Sequence, residues 1–180
     1  GATTATRRMT IMESGLTCIG SSVPTTTLQV VGSFTTGLVT ITATDAITAL
    51  EHAGRINLLG EVGGNALVTL TLPDATGTGN VYKFVVSVVN TSNYKFVVPD
   101  ADNTIDGQIM ITDADLIIPN VYHTVAATDT ITLNGTTTGG GSIGDYIELI
   151  DIAANQWTVS GMVTCPAGSD DATMFSETVS

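Results

Sequence analysis

Two glycines, Gly77 and Gly79, form the segment whose residue types come nearest to a phosphate-binding loop. They follow a strand-like run that ends at Pro73. A phosphate loop of the Gly-Lys-Ser/Thr type leads into a helix whose N-terminus faces the phosphate. Here a second strand-like run follows, and a dinucleotide-binding fingerprint would need a glycine where Tyr82 stands. We therefore predict that this loop is a turn between two strands and binds no nucleotide.

Asp100, Asp102 and Asp106 form the densest cluster of carboxylates in the chain. Calcium loops place carboxylate oxygens at alternate positions, because a hard cation takes several oxygen ligands. Asp100 and Asp102 have that spacing, but Asp106 comes later than the third ligand position, and no glutamate follows at the distance that an EF-hand requires. An Asx-rich turn between strands has the same composition. We predict no metal site and treat the three aspartates as weak candidate calcium ligands.

The other residues that could serve as ligands or nucleophiles are scattered. His52 and His123 have no patterned partner, and we interpret His52 as a cap at a helix end. Cys18 and Cys165 lack a cysteine or histidine at ligand spacing. We interpret them as reduced, partly buried thiols, which could pair only if the two ends of the domain meet. The Gly-x-Ser-x-Gly string around Ser142 (140–144) lies in a glycine-rich loop and not in a strand-to-helix elbow. The residues favour a protein that is not an enzyme and has no cofactor.

The charge balance narrows the possible partners. The chain has 17 acidic and five basic residues, which gives a net charge of −12 at pH 7. Nucleic acids and anionic membrane surfaces both attract clusters of Lys and Arg, and such a cluster is missing from the sequence. No apolar run is long enough for a membrane helix, and the first ten residues lack the apolar core of a signal peptide. We expect neither nucleic acid nor membrane as a partner.

The elements that must position these residues have the pattern of β-strands. The chain contains 32 threonines, and Thr suits the half-exposed surface of a sheet. About ten short alternating runs are separated by turn signals, which is typical of a sandwich or barrel. Turns at 63–64 and 90–93 are expected to close two hairpins, and the segment 144–163 is expected to form a third. The predicted core contains the aromatic residues Phe84, Phe96 and Trp157 and the aliphatic face of 145–152.

One segment, 44–54, favours a helix, with Thr44 or Asp45 as its cap and Gly54 at its end. The predicted fold is therefore all-β: an antiparallel β-sandwich or barrel-like domain with one short helix and an extended N-terminal arm. Three segments are expected: the arm over 1–27, a single β-domain over 28–163 and an acidic C-terminal tail over 164–180.

Three stretches carry a resemblance to a known group of proteins. They read ITALEHAGRINLL, VTLTLPDATGTGNVYKFVV and DTITLNGTTTGGGSIGDYIELIDIAANQWTVSG, in this order. Over residues 45–163 the chain resembles the capsid decoration (cement) and head-fibre proteins of tailed bacteriophages. The resemblance implies a virion structural protein without catalytic residues, made in the host cytoplasm and placed on the capsid exterior. It also implies that the chain forms a homo-oligomer, expected to be a trimer, and binds the major capsid protein.

The N-terminal arm supplies the candidate capsid contacts: Arg7, Arg8, Met9, Ile11 and Met12. The two arginines are adjacent cations that can donate charge-assisted hydrogen bonds to acidic residues of a capsid. The apolar residues are too few to fold alone but sufficient to bury against a partner. The alternative interpretation of the arginine pair is two solvated side chains in a flexible end.

Two other functions compete with capsid decoration. The first is a phage fibre or tail protein that binds a host receptor, since such proteins share the same turn strings. The second, from a different class, is a secreted carbohydrate-binding module or hydrolase. That class would be favoured by a secretion signal and by exposed aromatic residues, and the sequence shows neither.

Overall fold

A computed structural model describes residues 9–14, 17–19, 28–30, 33–114, 119–167 and 174–179. The chain divides into two compact units, 1–36 and 37–180. Much of the predicted arm, including Arg7 and Arg8, lies outside the described residues.

The first unit contains a small three-stranded sheet. Its strands are β1 (Met9–Ile11), β2 (Thr17–Ile19) and β3 (Leu28–Val30). β2 lies in the middle, antiparallel to β1 and parallel to β3. Strands β1 and β2 were not predicted, because three residues are too few to display alternation, whereas β3 lies at the start of the predicted β-domain over 28–163.

The second unit is a sandwich of two sheets, which confirms the predicted all-β class. The larger sheet has the order β11-β10-β14-β13-β8-β6-β4, and the smaller sheet has the order β15-β12-β9-β7-β5. Both sheets mix parallel and antiparallel pairs, so the antiparallel arrangement we expected is wrong in that detail. The larger sheet contains β4 (Leu38–Ile41), β6 (Ile56–Leu59), β8 (Val81–Val86), β10 (Thr104–Asp113), β11 (Asn120–His123), β13 (Tyr146–Ala153) and β14 (Gln156–Cys165). The smaller sheet contains β5 (Asp45–Ala46), β7 (Leu67–Thr71), β9 (Asn93–Val97), β12 (Thr130–Asn134) and β15 (Phe175–Ser176).

From β4 to β9 the chain winds as a two-sheet coil. Each strand lies in the sheet opposite to the strand before it, and each pairs in parallel with the next strand but one. The hairpins predicted at 63–64 and 90–93 are therefore wrong: β6 and β7 lie in different sheets, as do β8 and β9. Alternation and turn residues identify a strand and its end, but they do not state which strand it will pair with.

The third predicted hairpin is confirmed. β13 and β14 pair antiparallel, and Asn155 occupies the turn with a φ of 62°. Asn tolerates this left-handed conformation better than most residues. Trp157 follows the turn and is fully buried.

The predicted helix over 44–54 is reduced to a single turn, α1 (Ala49–His52). Its cap is Thr48, whose hydroxyl oxygen accepts a hydrogen bond from the Glu51 N–H, and not Thr44 or Asp45. Asp45 instead begins β5, which pairs with β7. Tertiary strand pairing outweighs the local helix preference here, as it commonly does for short segments.

The core lies between the two sheets and contains the predicted aromatic residues. Phe84 and Phe96 meet edge to face across the sandwich, with ring centroids 4.7 Å apart. Trp157 and Tyr82, which both lie in the larger sheet, also meet edge to face, with ring centroids 5.4 Å apart. Part of the predicted C-terminal tail also belongs to the core, because Phe175 is buried in β15 against β12. Residues 168–173 of that tail lie outside the described part of the chain.

Candidate functional site

The glycine-rich loop of residues 76–78 does bind an anion, and the anion is a carboxylate of the same chain. Asp151, near the end of β13, accepts hydrogen bonds from the N–H groups of Thr76 at 2.9 Å, Gly77 at 2.6 Å and Thr78 at 3.1 Å. The Thr78 hydroxyl donates to the same carboxylate at 2.6 Å. Successive backbone N–H groups that converge in this way form an anion-binding nest.

Gly77 makes this geometry possible in two respects. Its φ of 76° is in the left-handed region, where L side chains are strained. A Cβ at this position would also lie 3.3 Å from the Ala153 backbone, so the loop passes close to β13. The sequence carried no signal for this pairing, because Asp151 is 74 positions away from Gly77.

The electrostatics of Asp151 follow from these contacts. Burial by itself would raise the pKa of the carboxyl group. The hydrogen bonds from Thr78, Gly77 and Thr76 outweigh burial, so the pKa of Asp151 lies below its ordinary value. The ionised carboxylate therefore occupies the place that a phosphate would take in a nucleotide-binding loop.

The predicted acidic cluster is a hydrogen-bonded turn. The Asn103 side chain donates to Asp100 Oδ1 at 2.8 Å, and the Asp102 N–H donates to the same oxygen at 3.1 Å. Those bonds, led by the one from Asn103, lower the pKa of Asp100. Asp106 lies in β10, where it accepts a hydrogen bond from Gln156. Nowhere in the described part of the chain do three His, Cys, Asp or Glu side chains come together closely enough to hold a metal ion.

His52 is more deeply placed than a surface cap. It belongs to the last turn of α1 and is completely buried, whereas His123 is exposed on β11. The Thr48 N–H donates to His52 Nδ1 at 3.1 Å, and Nε2 lies 3.7 Å from the Asp45 carboxylate. His52 thus ties the helical turn to β5 and has a structural role. Cys18 and Cys165 are both buried thiols.

A pocket of about 220 Å³ opens at the end of the sandwich opposite to the Asp151 loop. Ligand pockets are commonly several hundred Å³ and combine apolar walls with convergent polar groups. This pocket is smaller and is built from short side chains and backbone, so it makes a poor ligand site. Its lining includes Val89, Asn90, Thr91, Gly141 and Thr164.

The most exposed apolar residues among the predicted capsid contacts lie together on the three-stranded sheet. Met9 and Ile11 alternate along β1 and are 55% and 67% exposed. Ile19 is the register partner of Met9. Thr17 is the register partner of both Ile11 and Leu28, so Leu28 lies on the same face. Ile19 and Leu28 are also exposed. We call Met9, Ile11, Ile19 and Leu28 the N-terminal apolar face. Met12, just beyond β1, is exposed as well.

The structure thus brings Met9 and Ile11 onto one face and adds two residues that the sequence did not single out. Ile19 was missed because its strand was not predicted, and Leu28 because the strand-like run that begins there was assigned to the β-domain and not to the arm. Apolar side chains on a sheet face can bury against a partner by the hydrophobic effect, but they supply no acid, base or nucleophile.

The comparisons with known proteins add no relative. The chain matches no family model, no curated protein sequence and no solved structure. Among the described residues, no helix has the length and apolar character needed to cross a bilayer.

Proposed function

We propose that this chain is a capsid decoration protein of a tailed bacteriophage. In this proposal it forms a homo-oligomer, expected to be a trimer, on the outside of the head and strengthens the shell by binding the major capsid protein. Three stretches over residues 45–163 resemble such proteins.

The observation that carries the proposal is the N-terminal apolar face. Four apolar side chains exposed on one small sheet are unfavourable in water and become favourable when a partner covers them. Met9 and Ile11 lie directly after Arg7 and Arg8 in the chain, and the two cations can pair with acidic groups on the same partner. A segment of this kind is suited to attach the β-sandwich to a capsid lattice.

The properties of the second unit suit the same role. Its dense β-structure has a buried aromatic core, and the chain as a whole carries a net charge of −12. Such a charge keeps a protein soluble at high local concentration and disfavours adsorption to DNA outside the head.

The experiment is co-sedimentation of the full chain with undecorated heads. Met9→Asp combined with Ile11→Asp should abolish binding, because it places charge in the apolar face. Leu50→Asp combined with Val125→Asp is the matched control: these apolar residues are also strongly exposed, but on the second unit. The control should bind at the wild-type level.

Two results would count against the proposal. If the first pair of substitutions leaves occupancy unchanged, the N-terminal apolar face is not the anchor. If the wild-type protein is found at only a few copies per particle, the alternative of a fibre or tail protein that binds a host receptor is favoured.

A further inference from the structure

The outer face of the seven-stranded sheet carries a continuous apolar row. Strand registers place one outward residue from each of six adjacent strands in a line across the sheet. We call this row the sheet stripe; it consists of Leu58, Val85, Tyr146, Met162, Met110 and Val121. Every member of the stripe is apolar or aromatic.

The members of the sheet stripe point away from the core. Their sequence neighbours Leu59, Val86, Ile147 and Val163 are fully buried, and successive side chains on a strand point to opposite faces. The three stripe residues towards β11 are 36% to 49% exposed, and the other three are half-buried between their neighbours. At about 4.8 Å per strand, six strands give a stripe about 24 Å long.

The outer face of the five-stranded sheet is different. There the register places Thr69, Lys95 and Thr132 in one row across three strands. Polar side chains of this kind are the ordinary solvent face of a sandwich. The contrast shows that the apolar stripe is a property of one sheet and not of the whole surface.

We propose that the sheet stripe is the surface through which copies of this chain contact one another. This inference rests on the homo-oligomer of the proposed function, but a face that meets itself joins copies in pairs, so it predicts an even number of copies in place of the expected trimer. Two molecules that each carry a net charge of −12 repel one another, so they can associate only where charge is absent or balanced. The sheet stripe has no charged side chain.

The neighbouring outward row supplies charge balance. Lys83 of β8 and Glu148 of β13 are register partners, so one cation and one anion lie side by side next to the stripe. Lys83 Nζ also lies 4.7 Å from the centre of the Tyr146 ring. A second copy can therefore meet this face with Lys83 opposite Glu148 instead of like charge opposite like charge.

The size of the face is also suitable. Including the neighbouring row, which is partly charged, it measures on the order of 500 Å² in projection. A standard interface buries about 800 Å² on each partner, so the stripe can form the centre of a contact whose rim is polar.

The test is the molar mass of the full chain in solution, measured by light scattering over a wide range of concentrations. Met110→Glu combined with Met162→Glu places two like charges in register at the centre of the stripe. The matched control is Thr69→Glu combined with Thr132→Glu on the other sheet, which adds the same charge next to Lys95. We expect the wild type and the control to have a molar mass that is a multiple of 18.5 kDa, the mass of one chain. The stripe variant should dissociate, with a dissociation constant raised on the order of 100-fold.

A second variant separates charge repulsion from loss of packing. Met110→Lys reduces the net negative charge, yet it should also weaken association if Met110 is buried between copies. All of these positions face outward, so thermal unfolding should confirm that the variants are folded. If both stripe variants keep the wild-type mass, or if the wild type is monomeric at every concentration, the inference is wrong.

Head binding is scored separately from mass. A stripe variant that keeps its oligomeric mass but no longer sediments with heads would show that a capsid covers the stripe, and self-contact would be excluded. Conversely, a wild-type oligomer that dissociates on stripe substitution but never binds heads would support this inference and contradict the proposed function.

Discussion

Strand β13 has a buried aspartate close to each end, and the two carboxyl groups lie in opposite electrostatic settings. Asp151 is 3% exposed and Asp145, just before the strand begins, is 6% exposed. For both groups burial is the largest influence on the pKa. Hydrogen bonds from the glycine-rich loop overcome it at Asp151, whereas burial prevails over the hydrogen bonds at Asp145, so the pKa falls at one end and rises at the other.

The difference shows that exposure alone does not decide the ionisation of a buried acid. Asp151 receives three backbone N–H groups and a short bond from a hydroxyl group. Asp145 also accepts hydrogen bonds, including one from the Ser142 N–H at 3.1 Å. The loss of solvation on burial nevertheless outweighs these bonds. The Asp151 end is therefore stabilised by its charge, and the Asp145 end is stable in spite of its charge.

The largest effect should come from removing the hydrophobic support of the Asp151 end. Trp157 is the register partner of Asp151 and is fully buried against Tyr82. Trp157→Ala should lower the free energy of unfolding by about 3 to 5 kcal/mol, as measured by urea denaturation. Trp157→Phe is the control and should cost much less, since it keeps a ring and removes an indole N–H that has no hydrogen-bond partner. A loss below about 1 kcal/mol for the alanine variant would mean that the surrounding core repacks to fill the space left by Trp157.

Asp151→Asn should have the next largest effect. It leaves a buried amide facing N–H donors that need an acceptor, and we expect a loss of about 3 kcal/mol at pH 7. The lowered pKa means that the stabilising effect of Asp151 is present above the unfolded value of about 4 and lost as pH falls below it. The difference between wild type and variant should therefore shrink in acid. A difference that does not change with pH would show that the carboxylate charge is not the stabilising element.

Asp145→Asn should have a smaller effect with the opposite pH dependence. Because the pKa of Asp145 is raised, its contribution to stability is fully present below about pH 4 and is lost as pH rises through the folded-state pKa. The stability of the asparagine variant relative to the wild type should thus increase as pH rises above about 4. Parallel pH profiles for the two asparagine variants would remove the contrast between the ends of β13.

The smallest expected effect is that of added anions. The N–H groups of the loop already donate hydrogen bonds to Asp151. ATP, NAD and inorganic phosphate should therefore leave the melting temperature of the wild type unchanged. A rise that depends on ligand concentration would mean that a ligand binds the native state and displaces the carboxylate.

These two ends also show which features can be predicted from a sequence. The β13–β14 hairpin was predictable because its turn is local and its alternation is long, and the burial of Trp157 follows from it. The glycine-rich loop was correctly predicted to lie between strands. Its carboxylate partner was not, because a contact between Gly77 and Asp151 depends on how two distant strands align.

The same limit explains the errors in the coil and in the first unit. Asp45 was predicted as a possible cap of a helix, but pairing with β7 makes it a strand residue. The turn at 63–64 was recognised, yet the turn residues alone do not show whether the chain folds back within a sheet or crosses to the other sheet. Ile19 and Leu28 joined Met9 and Ile11 only through strand pairing, so the candidate site was predictable in part.

The two-sheet coil sets a unit of length for this fold. In the smaller sheet Leu70 lies beside Asp45, and Phe96 lies beside Leu70, intervals of 25 and 26 residues. In the larger sheet Lys83 lies beside Ile56, an interval of 27 residues, whereas the first winding, from Leu38 to Ile56, takes 18 residues. A relative with one more or one fewer of the later windings would differ by about 25 to 27 residues and could keep every remaining pair in register. One residue inserted within a strand would turn its buried side chains outward, so gradual changes of length are confined to the connections between the sheets.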